Sequence, residues 1–398
     1  MSILFICAQS QTTKATHMAG ADLTYVSLGN GQYEFNYTFY RDCVGISAQT
    51  SITITYTSVS CGISSSVTLM PIPGTGQEIS RVCPGAITTC NGGTEPGIQK
   101  WEYRGTVYLP QCSDWVFSTR ECCRNAAITT LVDPLNEQMF IEATLDNLTS
   151  ENSSPVFSNI PIAFECIGQN NYYNHGGLDV DGDSLVYSFV APLNDANLPV
   201  QYLGGYSVSN PITSVPAVSI DPQSGDIFMH PTNPEIAVVA VQIYEYRNGV
   251  LIGTVIRDLQ IYTVVCNNEL PLMSGIDSTN VYTTQACLGS TVCFDVFSAD
   301  TDLPDSLGIS WNSGISAGTW SVTPGRRPVG HFCWTPTAAD VRPQPWYFTV
   351  TVFDDACPAN GVQTFSYGIT VSELTVASAS TNVSCAGGHN GSATVTPT

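Results

Sequence analysis

Lysine is almost missing from this chain: Lys14 and Lys100 are the only two in 398 residues. Lysine and arginine together number 12 against 33 aspartates and glutamates, a formal net charge of -21. With no basic stripe and no basic helix, the chain lacks the electrostatic footprint that nucleic acid requires, and anionic membrane is an equally poor partner. Charged residues of either sign make up only 11% of the chain. Ser, Thr, Asn, Gln and Gly therefore carry most of its polarity, as is usual for exported β proteins. No apolar run reaches the roughly 18 residues that a spanning helix needs, and no long amphipathic helix is legible. His17, His175, His230, His331 and His389 are scattered, and neither HExxH nor GxSxG occurs, so the chain is expected not to be an enzyme. Its paired carboxylates cluster on turns, whereas glycosidase acids face each other across a cleft.

What is abundant is cysteine. Fifteen are spread over every segment, without the CxxC or Cys/His spacing of zinc sites, which predicts disulfides and an oxidising, extracellular setting. Sequence does not fix connectivity. Cys166 with Cys266, which bracket one module, and Cys293 with Cys333, on neighbouring strand-like runs, are the pairings expected. Cys122 and Cys123 are adjacent and are expected to bond elsewhere, since a direct bond would close a strained small ring.

Alternation with period two dominates: Tyr33, Phe35, Tyr37 and Phe39 fall on one strand face, Ile52, Ile54 and Tyr56 on another, Val239, Val241 and Ile243 on a third. Asn248-Gly249, between two such runs, is the strongest hairpin signal, with similar turns at Asn30-Gly31 and Asp181-Gly182. The fold class expected is all-β, with tandem immunoglobulin-like and cadherin-like β-sandwich modules and disulfides. The divisions expected are an export-signal remnant at 1–15, a cysteine-rich β domain at 16–153, a cadherin-like sandwich at 154–266, an immunoglobulin-like sandwich at 267–372 and the start of a repeat at 373–398. The Ser/Asn/Pro-rich stretch 152–161 reads as the linker leaving the first domain.

Asp179, Asp181 and Asp183, in DVDGD, place three carboxylates on a glycine turn, a donor set suited to Ca²⁺. It is not an EF-hand, because Val190 stands where the bidentate Glu would be; a cadherin-like interstrand loop is the better analogy, with Glu245 as a further ligand. Asp300, Asp302 and Asp305, with Asp354 and Asp355, repeat the theme at looser spacing. A solvated acidic turn is the plainer reading of both. The tryptophans are expected in cores before sugar platforms. Asn36, Asn147, Asn152, Asn382 and Asn390 begin N-glycosylation patterns, which are frequent by chance.

Several phrases resemble large secreted proteins of gliding Bacteroidota: THMAGADLTYVSLGNGQYEFNYTFYRDC (16–43), STRECCRN (118–125), YNHGGLDVDGDSLVYSFVAPL (173–193), YEYRNGVLIGTVIRD (244–258) and GHFCWTPTAADV (330–341). TNVSCAGGHNGSATVTPT (381–398) resembles the opening of the repeat of the giant mobile gliding adhesins of the SprB type. That resemblance implies type IX secretion, display on the outer-membrane exterior at the tip of a repeat stalk, and a role in gliding and attachment. The partners it implies are a surface polysaccharide or other substratum and other gliding or outer-membrane surface proteins. A carbohydrate-binding module of a secreted polysaccharide-degrading enzyme, and a spacer or docking platform, are the alternatives.

Overall fold

The computed structural model describes residues 18–161, 164–373, 376–381 and 392–397. The expected export signal at 1–15 lies outside them, as does much of the repeat opening. The chain is all-β; the helical elements among the described residues are 3-10 turns of three residues each. It forms two compact units, residues 1–270 with 355–361, and residues 271–354 with 362–398.

The longer strands of the first unit are β1 (Met18–Gly29), β2 (Gln32–Asp42), β3 (Ile52–Ser58), β4 (Ile63–Pro71), β5 (Ile98–Tyr108), β6 (Trp115–Glu121), β7 (Met139–Leu145), β8 (Ser184–Val190), β9 (Glu235–Arg247) and β10 (Val250–Val264). The alternation read from Tyr33 to Phe39 is realised on β2, whose aromatic residues are buried while their neighbours are half-exposed. Asn30-Gly31 and Asn248-Gly249 turn β1 into β2 and β9 into β10 with φ of 55° and 75°, and of 52° and 78°. Both central residues are left-handed, the turn whose twist matches a hairpin.

β10 closes the architecture. One half pairs with β1 (Gly20–Asp22 opposite Leu259–Arg257) and the other with β7 (Ala143–Leu145 opposite Val255–Gly253). The order β10-β1-β2-β5-β4-β3-β6-β7 therefore returns to β10, a ring filled by side chains, with β9 and β8 extending the sheet from β10. Inside, Phe117 meets Phe35 at 4.7 Å and Tyr25 at 5.4 Å between ring centroids, both edge to face. Adjacent β10 residues point to opposite faces, and each carries a buried ion pair: Arg257 with Asp22 at 2.8 Å, Asp258 with Arg124 at 2.6 Å.

This pairing corrects the expected division after residue 153. Residues 18–145 and 184–264 share one sheet and one apolar core, because β10 is the partner that both β1 and β7 need. The expected division after residue 266 falls close to the observed one after Leu270. Residues 355–361, although they sit between two strands of the second unit in sequence, belong to the first, where Cys357 bonds Cys83 and Ala359 bridges Val82.

The second unit contains β11 (Leu272–Met273), β12 (Thr283–Cys287), β13 (Val292–Ala299), β14 (Gly308–Trp311), β15 (Thr319–Thr323), β16 (Val329–Trp334), β17 (Trp346–Phe353) and β18 (Val362–Ser372). They form two four-stranded sheets, β11-β13-β16-β15 and β12-β18-β17-β14, with β12 parallel to β18. With β12 lettered A′ and the other strands lettered in chain order, that is ABED facing A′GFC, the immunoglobulin sandwich order. Phe294, Phe332, Phe348 and Tyr367 fill the space between the sheets, with Phe332 and Phe348 stacked at 4.4 Å. Beyond it, Val376–Thr381 pairs with Ser392–Pro397.

Candidate functional site

The DVDGD turn lies at the end of the first unit where β9 turns into β10. Asp179 follows a two-stranded pairing of Gly177–Leu178 with Val156–Phe157, and Gly182, at φ 82°, folds the loop back into β8. Asp179 Oδ1 accepts the Asp183 N–H at 2.8 Å, which fixes the turn. Across from it, β9 departs from regular register between Glu245 and Tyr246, and Glu245 stands opposite Gly253. A Cβ at residue 253 would lie 2.7 Å from Glu245 Oε2 and 2.8 Å from the Tyr25 hydroxyl, so only glycine leaves room for that carboxylate.

Asp179, Asp183 and Glu245 thereby come together, each offering an oxygen within 4.8 Å of the others. Asp181, expected in the same set, turns aside: its Oδ2 accepts the Ser153 N–H at 2.8 Å and lies 3.6 Å from Arg247 Nη2. Arg247 chelates Asp183 through Nε at 2.9 and 3.1 Å, and its terminal nitrogens reach the Asn152 side-chain oxygen at 2.6 Å, Ser150 Oγ at 2.9 Å and the Glu151 carbonyl at 3.2 Å. The bonds to Asp183 hold the guanidinium above its ordinary pKa. Burial, then repulsion from Asp179, pushes the Glu245 carboxyl up to about 10; burial raises Asp179 as well.

Two contributors were not expected from sequence. Arg247 offered only its place beside the hairpin turn. Asn152, expected in a linker, is 1% exposed and donates to Glu245 Oε2 at 2.8 Å. Around it Ser154 exchanges hydrogen bonds with the Tyr25 backbone at 2.9 Å, and Glu151 accepts from the Gly31 N–H at 2.6 Å. The Ser/Asn-rich stretch is thus a strip of side-chain caps along β1, not a linker. Asn147, which accepts the Cys112 N–H at 2.8 Å and donates to the Tyr33 hydroxyl, is buried as well, and burial removes both Asn147 and Asn152 as glycan acceptors in the folded chain.

In the second unit the structure gathers Asp300, Asp305 and Asp354 within 4.8 Å, with Asp354 buried. Asp302 instead donates its N–H to Asp300 Oδ1 at 2.8 Å, and Asp355 begins the segment assigned to the first unit. Arg327 here grips backbone, reaching the carbonyls of Asp300 at 3.3 Å, Asp302 at 2.9 Å and Asp305.

Six disulfides join described cysteines, including Cys166–Cys266 and Cys293–Cys333; the latter two residues stand directly opposite on β13 and β16. Cys122 and Cys123 bond to each other, contrary to expectation: among the described residues the other bonded cysteines pair elsewhere, and Cys287 lies in the second unit. This density of disulfides belongs to a protein matured in an oxidising compartment, secreted or extracellular. His175 and Trp115 are core residues; His17 and His389 lie outside the described residues.

No family model and no curated protein matches the chain. Among solved structures it is similar to Dpr2 Ig1-Ig2, crystallised in complex with DIP-Theta, at TM-score 0.22 and 11% identity, over 55% of this chain and 99% of that one. Drosophila N-cadherin EC1-4 gives TM-score 0.21 and 10% identity, over 92% and 94%. An endo-fucoidan hydrolase of glycoside hydrolase family 107 gives 0.18 and 12%, over 85% and 42%. Scores this low do not separate an adhesion protein from a hydrolase. The class of the molecule rests on its own strands: an all-β, disulfide-linked extracellular chain whose second unit has immunoglobulin sandwich order.

Proposed function

We propose that this chain is a non-enzymatic adhesion region of a cell-surface protein, of the SprB-type gliding class its sequence resembles. It would be displayed outside the outer membrane and would engage a surface polysaccharide, another substratum or a neighbouring surface protein. The observation that supports this reading best is the path a pulling force would take. Cys83 and Cys357 are joined across a sequence separation of 274. Tension applied through the two ends crosses that bond and bypasses the enclosed residues, on the order of 900 Å of extended chain. A protein held at one end by a moving cell and at the other by a substratum needs such a limit on extension; a diffusible enzyme does not.

Antibody raised against residues 18–373 provides the test. The reading expects it to label intact cells that make the protein and to block their attachment to polysaccharide-coated glass. Antigen found only inside cells, or attachment unchanged by saturating antibody, overturns it.

A further inference from the structure

Glu245 is fully buried; its Oε2 takes the Asn152 amide, and its Oε1 has no hydrogen-bond partner. Asp179 Oδ2, also buried, has none either. Two carboxylates removed from water together lose hydration and repel, so the pair requires either a positive charge or a shared proton. Arg247 does not supply that charge on this side, because its guanidinium is engaged by Asp183, Asn152, Ser150 and Glu151.

We propose that Asp179, Asp183 and Glu245 hold one Ca²⁺ at this end of the first unit, fastening the 178–184 loop onto β9. Their oxygens already lie within 4.8 Å of one another. The donors are all anionic oxygens, without histidine or cysteine, which selects a hard cation over zinc or copper. Two of the three sit on an irregular loop, and variable geometry of that kind suits Ca²⁺ better than Mg²⁺, which demands a near-ideal octahedron. The broken register at Glu245 and the bare Gly253 opposite it keep the carboxylate in place without a side chain crowding it. This proposal is independent of the adhesive reading, since its test reads ion binding alone.

The full chain, with disulfides intact, is stripped of divalent ions by chelator and titrated with CaCl₂ while melting is followed; Tb³⁺ luminescence is the second readout. Saturation near 1 mM, an order of magnitude common in extracellular modules, should raise the melting temperature by about 2 to 4 °C. Glu245→Gln keeps the shape and an acceptor for Asn152 but removes a ligand charge. It should melt no lower than wild type in chelator and lose most of the Ca²⁺-induced rise. Asp179→Asn should lose it as well, and serves if the first variant does not fold. Absence of both the rise and the Tb³⁺ signal in wild type overturns the site. Full retention of the rise in both variants overturns it too, because the ion would then sit elsewhere and the two carboxylates would share a proton. An equal rise with MgCl₂ overturns the choice of Ca²⁺.

Discussion

In the first unit Arg247 reaches carboxylate oxygens, and in the second Arg327 reaches backbone carbonyls. The two acidic loops look alike in sequence, yet the units around them are built differently. The first buries charge: Arg124 with Asp258 and Arg257 with Asp22 cross its sheet, and Phe157 and Tyr40 flank the Arg257 guanidinium at 4.3 and 5.6 Å. The second packs stacked rings, and its His331–Asp295 pair, at 2.6 Å, is partly solvated. Each acidic centre contains a buried carboxylate, Glu245 in the first unit and Asp354 in the second; what differs is the arginine beside it, which grips a carboxylate in the first and backbone carbonyls in the second.

The sharpest way to break that contrast is to remove one charge from each unit. Asp258→Asn leaves Arg124 buried without its counter-charge and should cost about 3 to 5 kcal/mol, read by urea unfolding. Asp295→Asn removes an exposed partner and should cost no more than about 1 kcal/mol. Equal costs would mean that the buried pairs do not distinguish the units.

Next in size is the disulfide between paired strands of the second unit. Replacing Cys293 and Cys333 together with alanine opens a loop of 40 residues and should lower stability by about 2 to 4 kcal/mol. Hydrogen exchange should show the loss in peptides from 271–354 and leave those of β1, β2 and β5 protected. Loosening of both units together would show that they unfold as one.

Gly253→Ala tests how finely the first unit is fitted around Glu245. The added methyl would contact Glu245 Oε2 and the Tyr25 hydroxyl, so a cost of about 1 to 3 kcal/mol is expected, together with a weaker Ca²⁺ response. Gly289→Ala, at a second-unit turn where a Cβ meets nothing within 4 Å but φ is 74°, isolates the backbone penalty alone. Since Gly253 has no left-handed φ, a cost near zero for Gly253→Ala would mean that crowding at Glu245 contributes nothing.

The elements that depend on near neighbours were legible in sequence. Alternation located β2 and β9, Asn-Gly pairs located both hairpin turns, and DVDGD with Glu245 located most of the acidic centre. What depends on distant pairing was not. Asp22 meets Arg257 across 235 residues and Arg247 meets Asp183 across 64; nothing in the local pattern of either partner marks the other. Asn152 and Ser154 were misread for a related reason. Their composition is that of a linker, and the same small polar side chains bond the backbone of any strand that packs against them. Closure of the ring by β10 was hidden likewise, since one strand pairs half its length with β1 and half with β7.

The smallest expected effect concerns protons. His175 is buried in the first unit, 3.3 Å from the Tyr173 hydroxyl and edge-on to Phe157. Burial first, then the Arg257 charge, holds its pKa well below the usual histidine value. The fold therefore keeps it neutral, while the unfolded chain takes up a proton as pH falls through about 6.5. With the folded pKa depressed, the unfolded state binds more protons in that range, so this contribution is intact above that pH and is lost below it, by at most about 1.4 kcal/mol per pH unit. Glu165 and Glu245, raised by burial, act in the opposite direction because the fold favours their protonated forms. Comparison with His175→Gln isolates the histidine, since both carboxyls remain in the variant. Between pH 7.5 and 5.5, wild type should lose about 1 kcal/mol more than His175→Gln. Hydrogen exchange should place that loss in peptides of β1, β10 and 171–175. Parallel pH profiles for the two proteins would mean that His175 already reaches solvent, and that the interior of the first unit is less closed to charge than its ion pairs suggest.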